Sequence, residues 1–114
     1  MSFVLDPPLL VVSGAAIERS GVDEPTGRRL RAATLVTFVG VSLGLYANAP
    51  GLRAIWGPFG ARSGREFMLT SGLARVDERA MTPARHAAAL SLFAAYPLWL
   101  ALGRALGRRT SSRA

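Results

Sequence analysis

Two long stretches of the chain are apolar and carry no charge. The first is the 21-residue run between Arg31 and Arg53, and the second is the 17-residue run between His86 and Arg104. Runs of about 18 or more mainly apolar residues are typical of membrane-spanning helices. As helices the runs would be about 31 Å and about 26 Å long, close to the bilayer core of about 30 Å. Arg104 can extend towards the interface and make up the shortfall of the second run.

The pattern therefore predicts an all-α integral membrane protein, built as a hairpin of two transmembrane helices with a short N-terminal interfacial helix and an interfacial connecting segment. A soluble fold is disfavoured, because little amphipathic sequence remains to cover two uniformly apolar helices. The predicted segments are an N-terminal interfacial or partner-binding segment with a linker (1–29), the first transmembrane helix (30–49), a connecting loop with a short amphipathic helix (50–82), the second transmembrane helix (83–107) and a basic disordered tail (108–114).

Local signals place the helix boundaries. Capping residues mark three helix starts: Asp6 before Pro7, Ser63 with Glu66, and Thr82 before Pro83. The capped helix after Ser63 is expected to reach about residue 73. Glycines and a proline between residues 20 and 29 predict a linker there. Pro97 lies inside the second predicted span and should kink it, because its ring clashes with the carbonyl at position 93.

The distribution of charge favours a membrane over nucleic acid. The chain has fourteen arginines, no lysine and seven acidic residues, which gives a net charge of +7. The arginines that crowd the ends of the apolar runs are Arg28, Arg29, Arg31, Arg104, Arg108 and Arg109. Such charges flank membrane segments and attract anionic lipid, whereas a single-stranded nucleic-acid site would interleave aromatic residues. We therefore expect the lipid bilayer, and not nucleic acid, to be the partner of these arginines.

The same charges predict an orientation. Eight arginines lie on the two terminal sides of the predicted spans and six lie in the connection. Because basic residues near spans favour the cytoplasm, we expect a multi-pass protein of the bacterial inner membrane with both termini cytoplasmic.

Small residues recur along one face of each predicted span, at spacings of three and four. In the first span they are Ala33, Thr37, Gly40, Gly44 and Ala47, and in the second they are Ala84, Ala88, Ser91 and Ala95. Gly40 and Gly44 form a G-x-x-x-G pair, which lets helices approach closely in lipid. We interpret both rows as helix-packing faces, within the chain or between subunits. The alternative is that Ala and Gly are simply common in this chain.

Four further residues are predicted to anchor the chain at the membrane interface. Aromatic rings are favoured there and long basic side chains extend to it. The predicted anchors are Trp56, Phe59, Trp99 and Arg104.

The sequence contains no pattern of catalytic or metal-binding residues. Cysteine is absent, which excludes disulfides and thiolate metal sites. His86 is the only histidine and is interpreted as a polar residue at the interface. The adjacent carboxylates Asp77 and Glu78 point in different directions on a helix and make a poor acid–base pair. We therefore expect no enzyme activity, cofactor, metal or small-molecule substrate.

These observations favour a small accessory or scaffold subunit that braces a larger integral membrane protein by helix packing. One alternative is a small homo-oligomeric pore-former of the holin type, although neither span has a polar stripe. Another is a membrane component that borders a quinone or lipid site near Tyr96, Trp99 and His86.

Overall fold

The computed structural model describes residues 3–69 and 77–112, and within these residues every regular element is helical. The α-helices are α1 (Asp6–Arg19), α2 (Glu24–Tyr46), α3 (Arg53–Trp56), α4 (Gly64–Leu69), α5 (Pro83–Ser91) and α6 (Tyr96–Ser112). Short 3₁₀ turns occur at Pro50–Leu52, Gly57–Phe59, Glu78–Ala80 and Leu92–Ala95. The all-helical part of the predicted fold is confirmed.

Helix α1 lies lengthwise along α6 and runs parallel to it. Asp6, at the start of α1, bonds to Tyr96 at the start of α6, and Arg19 bonds to Thr110 near their ends. The predicted N-terminal interfacial or partner-binding helix is thus packed within the chain, where α1 makes its most extensive contacts with α6. Sequence pattern could not show this, because the paired residues are about ninety positions apart.

Helix α2 runs antiparallel to α1 and α6. Glu24, in its first turn, contacts Arg104 near the end of α6, and Ser42, near its last turn, contacts Asp6. The bundle therefore has an arginine end, where α1 and α6 finish and α2 begins, and a loop end, where α2 finishes and α6 begins. Phe3 lies at the loop end, since its backbone NH bonds to the Met68 carbonyl. The hairpin prediction placed both termini on one side, whereas Phe3 and the end of α6 lie at opposite ends of the bundle.

Helix α2 begins earlier than the sequence indicated. Residues 20–29 were assigned to a linker, but only residues 20–23 connect α1 to α2. Gly21 takes a positive φ of 74° in this connection, and Asp23 is extended. Pro25 falls in the first turn, where its missing NH and fixed φ are compatible with a helix. The helix ends at Tyr46 and Asn48 adopts a positive φ of 59°, just ahead of Pro50.

The second apolar run is interrupted, as its proline suggested. Helix α5 gives way to the 3₁₀ turn Leu92–Ala95, and α6 follows with Pro97 as its second residue. The tighter turn places the proline in the first turn of a new helix, where its ring is tolerated. Helix α6 then continues to Ser112, so the predicted disordered tail is corrected for residues 108–112. Contacts of Arg108 and Thr110 with α1 hold this last part of the helix.

Two of the three predicted caps are confirmed. The Thr82 hydroxyl accepts a hydrogen bond from the Arg85 NH, and the Ser63 hydroxyl accepts one from the Glu66 NH. The predicted extension of α4 beyond Leu69 lies outside the described residues. Asp6 is not an N-cap; it is the first residue of α1, and its side chain turns into the bundle.

Two apolar clusters lie in the interior of the described part of the chain. The larger lies at the loop end and consists of the buried residues Leu45, Tyr46, Trp56, Met68 and Ala89. The smaller lies between the three long helices and consists of Leu10, Tyr96 and Leu100.

Within the described residues, one helical segment could cross a membrane by its length and composition. This segment is Pro83–Thr110, 28 residues long, and its most apolar 18-residue window has a mean hydropathy of 1.4. Helix α2 meets the same criteria only together with Pro50–Phe59, from which it is bent by 105°. The reason is that the charge-free part of α2 extends only from Ala32 to Tyr46, about 22 Å of helix. Only one of the two predicted spans qualifies by itself. The two-span hairpin is therefore not confirmed.

Candidate functional site

Glycines bring α1 and α6 into close backbone contact. A Cβ placed on Gly103 would lie 2.8 Å from the Val11 carbonyl carbon, and one on Gly14 would collide with the Leu100 carbonyl oxygen. A Cβ on Gly107 would lie 2.9 Å from the Ala15 carbonyl oxygen. Gly103 and Gly107 form a G-x-x-x-G pair that the sequence analysis missed, because Arg104 inside the pair was taken as the end of the apolar run. The spacing rule applied to Gly40 and Gly44 would have found it.

A buried carboxylate joins the three long helices towards the loop end of the bundle. Asp6 is fully buried, and its Oδ2 accepts hydrogen bonds from the Tyr96 hydroxyl (2.5 Å) and the Ser42 hydroxyl (3.0 Å). A buried charge is costly unless it is hydrogen-bonded, and the first turn of a helix favours a carboxylate. Each of the three helices supplies one of these side chains. Local sequence predicts only a capping role for Asp6, because both of its hydrogen-bond partners are distant in the chain.

An ionic cluster connects the same three helices at the arginine end. One Arg104 nitrogen lies 2.7 Å from a Glu24 oxygen, and Arg108 donates to Glu18 at 2.9 Å. Arg31 approaches Glu24 at 3.2 Å. The hydrogen bond from Arg108 holds the pKa of the Glu18 carboxyl below its ordinary value of 4.5. The charges of Arg108 and Arg104 also lower this pKa, whereas partial burial raises it. The predicted interface anchor Arg104 therefore ties α6 to both α1 and α2.

A groove runs between α2 and α6 beside this ionic cluster, and we name it the α2–α6 groove. Its volume is about 290 Å³. The groove is lined by five apolar or small residues, Ala32, Leu35, Pro97, Leu100 and Ala101, and by the arginines Arg28, Arg31 and Arg104. It thus combines an apolar floor with a cationic rim. The quinone or lipid pocket predicted from sequence lies near Tyr96, Trp99 and His86. None of these three residues lines the α2–α6 groove, although Pro97 does.

The loop end holds the histidine. His86 Nδ1 and the Tyr46 hydroxyl are 2.5 Å apart, and the Arg65 guanidinium lies 5.2 Å from the centre of the Tyr46 ring. Arg65 also donates through its Nε to the Tyr46 carbonyl and through its backbone NH to Asn48. These contacts fasten α4 and α5 to the end of α2. The predicted interfacial His86 is half-buried and is engaged with the protein in this structure.

The predicted packing faces point away from the chain's own interior. Of the first row, Ala33, Thr37, Gly40 and Ala47 are exposed, and a Cβ on Gly40 would meet nothing within 4 Å. Gly44 is half-buried, with its Cβ position 2.7 Å from Leu52. Of the second row, Ala84, Ala88 and Ser91 are exposed and Ala95 is half-buried. Most members of both rows are exposed, and their role in packing between subunits stays a prediction.

The predicted aromatic anchors have different environments. Phe59 is 70% exposed and Trp99 is half-buried beside the smaller apolar cluster. Trp56 is only 7% exposed and belongs to the larger cluster. The assignment of Trp56 as a lipid anchor is corrected for this reason: its ring packs inside the loop end of the protein.

No group of three histidine, cysteine or acidic side chains is placed to hold a metal ion within residues 3–69 and 77–112. Comparison of the chain with protein-family models, with curated proteins and with solved structures finds no match.

Proposed function

We propose that this protein is a small accessory subunit of a larger membrane protein complex, which it braces through the outer face of α2. The observation that carries the proposal is the open surface of that helix. Val36 is 71% exposed and Leu43 is 43% exposed, and Gly40 lies between them with no neighbour above it. An apolar surface with a small residue at its centre suits close contact with another helix in lipid.

Membrane placement is supported by how little of the apolar helix the protein itself covers. Only 22% of the most apolar window of Pro83–Thr110 is buried within the structure. Large apolar side chains are exposed on all three long helices, among them Leu9, Val12, Val36, Leu43, Leu98, Leu102 and Leu106. Soluble monomers rarely expose apolar surface on this scale.

The outer hydroxyl groups fit the same environment. Thr37 donates to the Ala33 carbonyl and Thr34 donates to the Leu30 carbonyl, both on α2. Ser13 on α1 donates to the carbonyl of Leu9 in the same way. A polar group that faces lipid needs an internal partner, because no water is available there. These hydroxyls need neither water nor a pore lining, which favours bracing over the pore-forming alternative.

We further propose that the arginine end faces the cytoplasm of a bacterial inner membrane and that the loop end faces the other side. The arginine end collects the side chains that the positive-inside rule counts most strongly, those next to the apolar segments. In this arrangement α1 enters the bundle from the loop end, so that residue 20 is cytoplasmic and Phe3 is not.

The test introduces a photocrosslinking amino acid at position 36, facing outward from α2, in the full chain in its native membrane. We expect a crosslinked product with a larger integral membrane protein in fixed stoichiometry. The variant Gly40→Leu should abolish this product, because a leucine side chain would hold the partner helix away. Ala105→Leu, which enlarges an exposed residue on α6, is the matched control and should leave the product intact.

Three outcomes would overturn the proposal. Crosslinks only between copies of this chain would indicate the homo-oligomeric alternative. Crosslinks only to lipid would show that α2 has no protein partner. Recovery of the chain in the soluble fraction without detergent would exclude the membrane placement itself. Because a Cβ on Gly40 meets nothing within 4 Å in the described part of the chain, loss of the product in Gly40→Leu with an unchanged helical circular dichroism spectrum would not be a folding effect.

A further inference from the structure

We propose that the α2–α6 groove binds an anionic phospholipid, with the phosphate held by the arginine rim and the upper part of an acyl chain lying on the apolar floor. The inference rests on the membrane placement proposed above, and it adds a ligand that the bracing function does not require. It is carried by the juxtaposition of Arg28, Arg31 and Arg104 with the apolar residues between α2 and α6.

The charges at the rim favour an anion. Arg31 and Arg104 share the carboxylate of Glu24, and Arg104 and Arg108 share that of Glu18. Arg28 adds a fourth cation and makes no ion pair within the described residues, and its side chain is exposed. Four arginines against two glutamates leave positive charge in excess around the groove. Arginine binds phosphate through several N–H donors at once, which suits a phosphodiester.

The floor favours a lipid over a free phosphate ion. Leu35, Leu100 and Pro97 line the groove with apolar surface that a small hydrated anion would leave uncovered. At about 290 Å³ the groove is at the lower end of the size range of small-molecule sites. It can therefore hold a phosphate with the first part of an acyl chain, while the rest of the chain lies along the exposed leucines of α6.

The position of the groove fits the membrane boundary. Arg104 marks the end of the charge-free part of the Pro83–Thr110 segment, and Arg31 marks the start of the charge-free part of α2. The rim thus lies where phospholipid phosphates would be, with the floor directed towards the hydrocarbon. Basic pockets between helices at this depth bind anionic head groups.

The test measures lipid binding to the purified full-length protein in a mild non-ionic detergent by native mass spectrometry. The probes are phosphatidylglycerol and phosphatidylcholine with identical acyl chains. We expect phosphatidylglycerol to bind several-fold more tightly. Arg28→Gln should weaken that binding about fivefold, the effect of one arginine near an anionic lipid surface. Arg28 is chosen because Arg31 and Arg104 also hold the helices together.

Matched controls separate the groove from general charge. Arg29→Gln removes the neighbouring exposed arginine, which does not line the groove, and should leave binding unchanged. Ala101→Phe fills the floor and should weaken phosphatidylglycerol binding, whereas Ala105→Phe one turn further along α6 should not. Equal effects of Arg28→Gln and Arg29→Gln would overturn the proposal.

Two further outcomes would also overturn it. Equal binding of phosphatidylglycerol and phosphatidylcholine would exclude recognition of the anion. Displacement of the lipid by an equal concentration of inorganic phosphate would show that the floor contributes nothing. The photocrosslinking experiment on α2 does not report on this groove, so the lipid-site proposal can be refuted while the accessory function stands. Conversely, lipid binding at the groove without a crosslinked partner would refute only the bracing role.

Discussion

Replacing Gly103 by alanine should destabilise the bundle, although alanine is the better helix former. The added Cβ would lie 2.8 Å from the Val11 carbonyl carbon and 2.9 Å from the Val11 Cα, with the Val11 carbonyl oxygen nearer still. Ordinary van der Waals contact at such a position begins at 3.4 Å. The obstacle is the backbone of α1, which cannot rotate away as a side chain can. Helices α1 and α6 must therefore move apart.

The magnitude follows from two opposing effects. Forcing an extra carbon into a packed interface costs about 1–3 kcal/mol, and the backbone contact here places the cost towards the upper end of that range. The change from glycine to alanine within a helix returns about 1 kcal/mol. The net loss in free energy of unfolding should be about 1–2 kcal/mol, which lowers the Tm by roughly 5 °C or more in a chain of this size.

The assay is thermal unfolding in detergent, followed by tryptophan fluorescence, to which Trp99 beside the smaller apolar cluster and Trp56 in the larger one both contribute. Gly40→Ala is the matched control, because its new methyl group meets nothing within 4 Å and the substitution should raise stability by up to about 1 kcal/mol. The two variants thus make the same chemical change with opposite expected signs. Equal Tm shifts in both would refute the close crossing of α1 and α6.

Three other predictions address the polar contacts and the topology. Arg108 lowers the pKa of Glu18 from 4.5 in the folded protein. The stabilisation by Glu18 should therefore be fully present above pH 4.5 and lost as the pH falls through the lower pKa of the folded state. Glu18→Gln should flatten this acid limb of the Tm–pH profile. Asp6→Leu should cost about 1–3 kcal/mol in chemical denaturation, because it removes the buried acceptor that the Ser42 and Tyr96 hydroxyls share, and Asp6→Asn should cost less because it keeps one acceptor oxygen. A membrane-impermeant thiol reagent on intact cells should label a cysteine at Val4 and spare one at Ser20; labelling of both from outside, or of neither, would contradict the placement of α1 along the bundle.

Much of the local structure could be predicted from sequence because its causes are local. The charge-free runs overlap the two longest helices, α2 and α6, and the hydroxyls of Thr82 and Ser63 cap the helices that follow them. Pro97 marks the break in the second run for a reason confined to one helical turn. The boundary of α2 was less predictable, because a proline can equally end a helix or occupy its first turn, as Pro25 does.

The contacts that define the candidate sites depend on tertiary structure. Asp6 looked like a cap because the sequence does not reveal that Tyr96 and Ser42, 90 and 36 positions away, supply its donors. Trp56 looked like an interface anchor because its burial depends on α4 and α5 folding over the end of α2. In the same way, Arg28 and Ala101 belong to one groove only after α2 and α6 lie side by side.

The sequence by itself determined that the chain is helical, where its arginines cluster and which segments are apolar, since each depends on residues within a few turns of one another. Only the tertiary structure decided that α1 lies against α6, because that contact requires the glycine backbones of Gly14, Gly103 and Gly107 to meet residues from the other end of the chain. It also decided which small-residue faces are used inside the protein and which, like that of Gly40, remain open. A helix has several faces of similar composition, and the choice among them depends on which partner each face can approach most closely.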